Sequence, residues 1–86
     1  MTHDYAALAF IAYNLEDAQE ELSYILGLIR PDGEIDEAEF DARMAHLYYH
    51  LNTAWNARNA SDEHIESADA EQLRAWSRFP EDITPL

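Results

Sequence analysis

The feature that most constrains the fold is a short segment of helix-stopping and helix-starting residues between two long stretches of helical periodicity. Pro31 lacks a backbone N–H and disfavours helical geometry at Arg30, so the first helix is expected to end near Ile29. Gly33 tolerates the positive φ of a tight turn, and Asp36 is suited to cap a second helix. Two long helices joined by so short a turn must run antiparallel, which predicts a helical hairpin.

The same turn resembles the second half of an EF-hand calcium loop. Gly33, Asp36 and Glu39 stand where that loop has its sharp-turn glycine and two of its later ligand positions. The first and third ligand positions would fall on Leu28 and Arg30, whose side chains carry no oxygen. A capping box between Asp36 and Glu39 accounts for the same residues without an ion, so no calcium site is predicted.

The first helix, predicted over residues 4–29, carries apolar side chains at alternating intervals of three and four residues. This alternation is the a/d pattern of a heptad repeat, and it predicts the face that packs on the second helix. The predicted inward positions are Leu8, Ile11, Leu15, Ala18, Leu22, Ile25 and Ile29. Residues 6–13 are apolar around the whole helix, so we expect the C-terminal segment or another chain to cover their opposite side.

A second helix is predicted over residues 37–59, again with intervals of three and four residues. Its inward positions are Phe40, Met44, Leu47, Leu51, Ala54 and Arg58. Ser61 is suited to cap one short helical turn, and Asp69 to cap a short third helix over residues 69–79. The tail, residues 80–86, is expected to be extended because it contains two prolines.

These patterns predict an all-α chain of one domain, residues 1–86. The absence of valine and the presence of only two glycines also favour helices over strands. The predicted architecture is a long antiparallel helical hairpin, with its turn at residues 30–36, and a short third helix. We expect two chains to form a homodimer, a four-helix-type bundle with the third helices packed outside.

Acidic residues dominate the charge of the chain. Eighteen Asp and Glu face five Arg, and the formal net charge is −13. Such a field repels nucleic-acid phosphates and anionic lipid surfaces, so we expect no direct binding to nucleic acid or to membranes. The same charge is compatible with a basic protein partner, with a divalent cation, or simply with a well-solvated helical bundle.

Cysteine usage and the N-terminal residues bear on the compartment. The chain has no cysteine, which excludes disulfides, thiolate metal sites and a cysteine nucleophile. The apolar run at residues 6–13 is too short to span a bilayer, and the first residues lack the basic start of a signal peptide. A cytoplasmic location is therefore the expectation.

Two histidines are the candidate metal ligands. His46 and His50 are four residues apart, which places both rings on one helix face and would suit zinc or a similar ion. A site needs a further ligand, and Glu21 or Asp17 of the first helix could reach His50 in an antiparallel hairpin. The chain has no Glu-x-x-His motif, so a di-iron site is not supported. We interpret both histidines as ordinary polar helix residues and predict no metal.

Patterns typical of catalysis are weak in this chain. Its serines occur in cap-like or solvent-facing contexts without a Gly-x-Ser-x-Gly elbow, and no glycine-rich loop is present to bind a phosphate. The many carboxylates fall on predicted convex helix faces, where no cavity excludes water. We therefore predict that the protein is not an enzyme, with no catalytic residue and no cofactor.

The surplus of aromatic residues points to an interaction surface. Phe10, Tyr13, Tyr24 and Tyr49 lie off the predicted inward faces, so we interpret them as candidates for contact with a partner. The predicted function is a small acidic helical module for protein–protein interaction or regulation that self-associates. One alternative is an acidic mimic of nucleic acid that inhibits a basic DNA-binding protein. Another is a metal-binding protein that uses His46 and His50 with carboxylates.

Overall fold

The computed structural model describes residues 5–29 and 32–86. These residues form four helices: α1, Tyr5–Ile29; α2, Glu37–Asn56; α3, Asp62–Glu66; and α4, Ala70–Trp76. The helices α1 and α2 pack along each other, α3 contacts α1, and α4 contacts α2. No strand occurs among the described residues, and the predicted all-helical fold with a long helical hairpin is confirmed. None of these four helices is long and apolar enough to cross a membrane.

Among the described residues, two hydrogen bonds hold the turn between α1 and α2. The backbone N–H of Gly33, at a φ of 75°, donates to the carbonyl of Ile29 over 2.9 Å. The N–H of Glu34 donates to the Asp32 side chain over 3.0 Å. Glycine is needed here because other side chains rarely adopt this left-handed conformation. The predicted helix break at residues 30–31 lies outside the described residues.

The start of α2 is capped as predicted, but by half of the predicted capping box. Asp36 accepts a hydrogen bond from the backbone N–H of Glu39 over 3.0 Å. The Glu39 carboxylate does not return to Asp36: it accepts from the Tyr24 hydroxyl over 3.4 Å and lies 3.9 Å from the Arg43 guanidinium. This carboxylate therefore links the two long helices instead of closing the box.

The face of α1 that contacts α2 is rotated by one position from the predicted one. Ala18 and Ile25 are buried as predicted. Leu8, Leu15 and Leu22 were predicted to face inward, and this is wrong: Leu15 and Leu22 are each 47% exposed, and Leu8 slightly more. The buried residues of α1 are Ala7, Asn14, Ala18, Glu21 and Ile25. From Asn14 to Ile25 these residues also repeat at intervals of four and three, and Ala7 lies seven residues before Asn14, so the spacing is kept while the stripe is different.

Paired polar side chains between the two helices, here called the polar seam, accompany this rotation. On α2, His50 is only 8% exposed, whereas Leu51, which was predicted to face inward, is 39% exposed. Asn14 and Glu21 of α1 lie opposite His50 and His46 of α2, and both pairs form hydrogen bonds. A buried polar group without a partner costs about 1–3 kcal/mol, so this register is tolerated because it pairs the groups that it buries.

The hydrophobic core is small and lies toward the turn end of the hairpin. Its buried centre is formed by Ala18, Ile25 and Leu47. The half-buried side chains packed against it are Ile29, Phe40 and Met44. At the opposite end, the rings of Phe10 and Trp76 pack with centroids 5.8 Å apart. The C-terminal segment thus covers part of the apolar start of α1, which was one of the two expected alternatives.

The helix α2 is shorter than predicted, because it ends at Asn56 and not at residue 59. The Asn56 side-chain amide donates to the backbone carbonyls of Trp76 and Arg78, each over 2.7 Å. These bonds hold the C-terminal end of α4 against the C-terminal end of α2. An asparagine whose side chain bonds to a distant carbonyl gives no signal in the apolar periodicity.

The helix α4 is also shorter than the predicted residues 69–79, because it ends at Trp76. Its N-terminal cap is Asp69, as the sequence indicated. Beyond the helix, the Ser77 carbonyl accepts a hydrogen bond from the Asn52 side chain over 3.1 Å. The backbone carbonyls at the C-terminal end of α4 therefore accept hydrogen bonds from α2. The chain is no longer helical when it reaches Pro80.

The short helix α3 anchors the start of α1. Ser61 caps α3, as predicted, by accepting from the backbone N–H of His64 over 3.1 Å. Asp62 then accepts through Oδ1 from the backbone N–H groups of Ala6 and Ala7, over 2.8 and 3.1 Å. No acidic residue occurs in the first turn of α1 itself. A carboxylate more than fifty residues away thus serves as its N-terminal cap.

Replacing Asp62 by Ala is therefore expected to lower the free energy of unfolding by about 1 kcal/mol, the usual cost of losing a helix cap. Urea denaturation followed by circular dichroism measures this. The matched control is Glu63→Ala, which removes the same charge from an exposed position of α3 and should change stability by less than about 0.5 kcal/mol. Equal losses in the two variants would contradict the capping role.

The tail, residues 80–86, is fixed to α2 through the Asp82 carboxylate. The indole N–H of Trp55 donates to Asp82 Oδ1 over 2.8 Å, and Arg58 Nη2 donates to Oδ2 over 2.9 Å. The Arg58 guanidinium also lies 3.8 Å from the centroid of the Trp55 ring. The hydrogen bonds from Trp55 and then Arg58 lower the pKa of the Asp82 carboxyl. The ionised carboxylate is thus the form that holds the tail.

This contact should make part of the stability depend on pH. Because the folded pKa of Asp82 is lowered, its stabilisation is present above the unfolded pKa of about 3.9 and is lost as the pH falls through the folded value. Asp82→Asn should lower the Tm at pH 7, and its difference from the wild type should shrink below about pH 4. Glu81→Gln, at an exposed neighbouring position, is the control. A difference that is constant with pH would contradict this role.

Candidate functional site

The two flanks of the hairpin differ in chemistry. One flank, here called the polar flank, consists of Asn14, Asp17, Glu21, His46 and His50. The other, here called the leucine groove, consists of Leu15, Leu22, Leu47 and Leu51. Both follow from the rotation of α1 and α2, which turned the polar residues toward each other and left the leucines beside the seam. Each flank is a candidate functional surface, and they are described in turn.

The hydrogen-bonding roles around His50 follow from Asn14. The Asn14 side-chain nitrogen donates to the carbonyl of Phe10 over 3.0 Å, which turns its oxygen toward the imidazole. That oxygen lies 2.9 Å from His50 Nδ1. Because the amide oxygen can only accept, His50 Nδ1 must carry the proton and donate it. In a neutral ring, His50 Nε2 is then unprotonated and carries a lone pair.

The second histidine is oriented by a buried carboxylate. His46 Nδ1 lies 3.0 Å from Glu21 Oε2, and the carboxylate accepts the ring proton. The other oxygen of Glu21 is buried without a hydrogen bond, but Arg43 Nη1 lies 3.5 Å from it, at ion-pair distance. His46 and Arg43 therefore hold the charge of Glu21 between the helices, and the His46 ring remains about half exposed.

The two rings converge at their remaining nitrogens. His46 Nε2 and His50 Nε2 are 3.1 Å apart, and Asp17 Oδ2 lies 3.9 Å from His50 Nε2. Burial, followed by repulsion from His46, lowers the pKa of His50, while Asp17 and Glu21 act in the opposite direction. The lowered pKa favours the neutral form of His50, so its Nε2 is available as an acceptor or a ligand.

The structure brings the candidate metal ligands together. Both expected carboxylates approach the histidines, although Glu21 meets His46 and not His50. Within the described part of the chain, no group of three or more His, Asp or Glu is arranged to hold a metal ion as it stands. Two histidine nitrogens converge, and Asp17 Oδ2 lies 3.9 Å from that of His50.

The aromatic candidates are placed differently from one another. Phe10 is half-buried against Trp76, so little of it faces solvent. Tyr13 is 63% exposed, and Tyr24 is also exposed. Tyr49 is exposed as well, and its ring packs edge-on against His50 with centroids 5.2 Å apart. Tyr24 and Tyr49 thus border the polar flank and do not form a separate patch.

The leucine groove was missed by the sequence analysis. It runs beside the seam, with Leu47 buried at its base and Leu15, Leu22 and Leu51 open to solvent. It continues past Leu51 to Ile83 of the tail. Leucines recur every seven residues in α1, which indicates an apolar stripe on one face of the helix. This stripe was predicted to be the face that contacts α2. The tail thus extends the groove at one end.

Comparison with known proteins does not identify a function for either flank. The chain has no significant match among protein-family models, curated protein sequences or solved structures. The two flanks therefore have to be interpreted from their own geometry and chemistry.

The hydrogen bond between Asn14 and His50 should contribute to the free energy of unfolding. Asn14→Ala removes the acceptor of the His50 Nδ1–H and leaves a buried donor unpaired, so unfolding should become easier by about 1–3 kcal/mol. Chemical denaturation at pH 7 measures the change. Asn59→Ala, an asparagine on the surface, should cost less than about 0.5 kcal/mol. A loss no greater than that of the control would show that this hydrogen bond does not hold the seam.

Proposed function

We propose that the protein is a non-catalytic protein–protein interaction module that self-associates, with the leucine groove of one chain packed on that of a second copy. The observation that carries this proposal is the exposure of a heptad-spaced leucine row. Leu8, Leu15 and Leu22 recur every seven residues and all remain about half exposed. Heptad-spaced leucines on one helix face are typical of a seam between helices.

The size of the molecule supports the proposal. Its accessible surface is 6359 Å², about a fifth more than the roughly 5200 Å² expected for a compact monomer of this mass. Its radius of gyration is 14.8 Å, against about 12 Å for a compact domain of this length. A chain of this shape has surface to lose on assembly, and a stable interface buries at least about 1000 Å² in total.

The composition of the core supports it as well. The buried apolar residues of the described chain are Ala7, Ala18, Ile25, Leu47, Ala54, Ala57 and Trp76. Most of these are alanines, which contribute little apolar area. Complete burial of one leucine is worth about 1.5–3 kcal/mol, so covering the half-exposed leucines of two chains would add several kcal/mol. A second copy therefore supplies the burial that one hairpin lacks.

Symmetry makes a second copy a suitable occupant. The groove has a row of leucines on α1 and Leu51 on α2, so two hairpins related by a two-fold axis place the same apolar surface on both sides. Four helices then pack around the leucines, with the crossing angles of a four-helix bundle. The histidines stay outside this interface, because they lie on the other flank.

Charge distinguishes self-association from the nucleic-acid-mimic alternative. Two chains that each carry a net charge of −13 repel one another, so added salt should strengthen an apolar dimer by screening that repulsion. A complex with a basic DNA-binding protein would behave in the opposite way, because its attraction is screened. The direction of the salt dependence therefore separates the two functions.

Sedimentation equilibrium of the wild type should show a monomer–dimer equilibrium that shifts toward the dimer between low and moderate salt. The variant with both Leu15→Glu and Leu22→Glu should remain monomeric, because it places charge in the groove. Both leucines are half exposed in the monomer, so the variant should retain its helix content by circular dichroism.

The control is Tyr13→Glu, which adds a charge to an exposed α1 residue outside the groove and should leave the dimer intact. A wild type that stays monomeric at all salt concentrations would overturn the proposal. Dissociation by Tyr13→Glu but not by the leucine variant would place the interface on the aromatic candidates instead.

A further inference from the structure

The two histidine rings bring their Nε2 atoms within 3.1 Å of each other. Asn14 and Glu21 both accept protons from the Nδ1 positions, so the neutral forms of His46 and His50 would direct two lone pairs at each other over 3.1 Å. Two acceptors at this distance repel. A cation bound by both nitrogens would turn this repulsion into attraction.

We propose that the polar flank binds one divalent transition-metal ion of the zinc class through His46 Nε2 and His50 Nε2, with the Asp17 carboxylate as third ligand. The ion would occupy the point on which the two nitrogens converge. The site is formed by one turn of α2 and the facing turn of α1. It does not depend on self-association, because it lies on the flank opposite the leucine groove.

The distances are close to those of a metal site. Zinc–nitrogen bonds are about 2.0–2.1 Å, so two imidazole nitrogens of a tetrahedral site stand about 3.3 Å apart. The observed 3.1 Å needs a shift of only a few tenths of an ångström. Asp17 Oδ2, 3.9 Å from His50 Nε2, has to move closer. Its side chain is partly exposed and can rotate, and water can complete the coordination.

The surrounding hydrogen bonds are those that metal-ligating histidines use. Such rings almost always donate their second N–H to a carboxylate, a carbonyl or water, which fixes the ring and its tautomer. Glu21 does this for His46, and the amide oxygen of Asn14 does it for His50. Asn14 is itself fixed by the Phe10 carbonyl, so both nitrogens are directed before any ion arrives.

Charge and access also suit a cation. The charged groups that face the site are Asp17, Glu20 and Glu21 from α1 and Arg43 from α2. Three carboxylates against one guanidinium leave the depression negative. It opens to solvent, and His46 lies at its exposed side, so an ion has a path of entry. Two imidazoles favour zinc, cobalt, nickel or copper over calcium and magnesium, which prefer oxygen ligands.

The test is calorimetric titration of the metal-free, full-length protein with Zn²⁺, with a parallel titration with Ca²⁺. We expect one Zn²⁺ per chain and a Zn²⁺-dependent rise in Tm, with no saturable Ca²⁺ binding at this site. His46→Gln should weaken Zn²⁺ binding by more than about 100-fold and Asp17→Asn by at least about tenfold, since even outer-shell changes cost 10–100-fold. His64→Gln, on α3, should bind as the wild type does.

Several results would overturn the proposal. One is the absence of saturable Zn²⁺ binding, and another is an equal affinity for Zn²⁺ in the wild type and His46→Gln. A third is competition by Ca²⁺ at similar concentration, which would indicate that the ions bind to scattered carboxylates. His46 is about half exposed, and Asp17→Asn is nearly isosteric, so at least one of these variants should keep the fold. The variant with Leu15→Glu and Leu22→Glu should still bind Zn²⁺, which separates this test from that of self-association.

Discussion

The hydrogen bond between Asn14 and His50 is the contact on which the arrangement of the hairpin depends. It joins the middle of α1 to the middle of α2 at a position where both side chains are almost completely buried. A partner lost at such a place leaves a polar group in a dry environment, which is costly. In the observed register this pair, and the Glu21–His46 pair beside it, are both formed. The positions of the other side chains on both flanks follow from that register.

The cost of this register is the exposure of leucines. A different rotation would bury Leu15 and Leu22 between the helices and leave Asn14 and His50 in water, where polar groups are well solvated. The observed register is consistent with an assembly because a second copy can cover the leucines, while no other described element pairs with Asn14 and His50. In a dimer of the proposed kind, both the apolar and the polar groups are satisfied.

Local features of the fold could be predicted from the sequence, and long-range features could not. Asp36, Ser61 and Asp69 were all assigned as helix caps, and each accepts a hydrogen bond from a backbone N–H three residues later. Such signals lie within one helical turn. The cap that Asp62 places on α1 joins residues that are far apart in the chain, and no local pattern reports it. The same holds for Asn56, which fastens the end of α4.

The choice of the inward face of α1 shows a different difficulty. Two stripes, one through Leu15 and one through Asn14, share Ala18 and Ile25 and differ in the residues between them. Apolar periodicity selects the first, because it gives no weight to a polar residue whose partner is on another helix. The pairing of His46 and His50 on one face was predictable from their separation. Their orientation by Glu21 and Asn14 was not, because it depends on the same register.

The most direct test of the polar seam is the tautomer of His50 in the metal-free protein at neutral pH, read from the ¹⁵N chemical shifts of its ring. The structure predicts a protonated Nδ1, bound to the Asn14 oxygen, and an unprotonated Nε2. An Asn14→Ala variant should alter the Nδ1 signal. A His50 ring with its proton on Nε2, and with shifts unaffected by Asn14→Ala, would show that the helices meet in another register and would contradict the account.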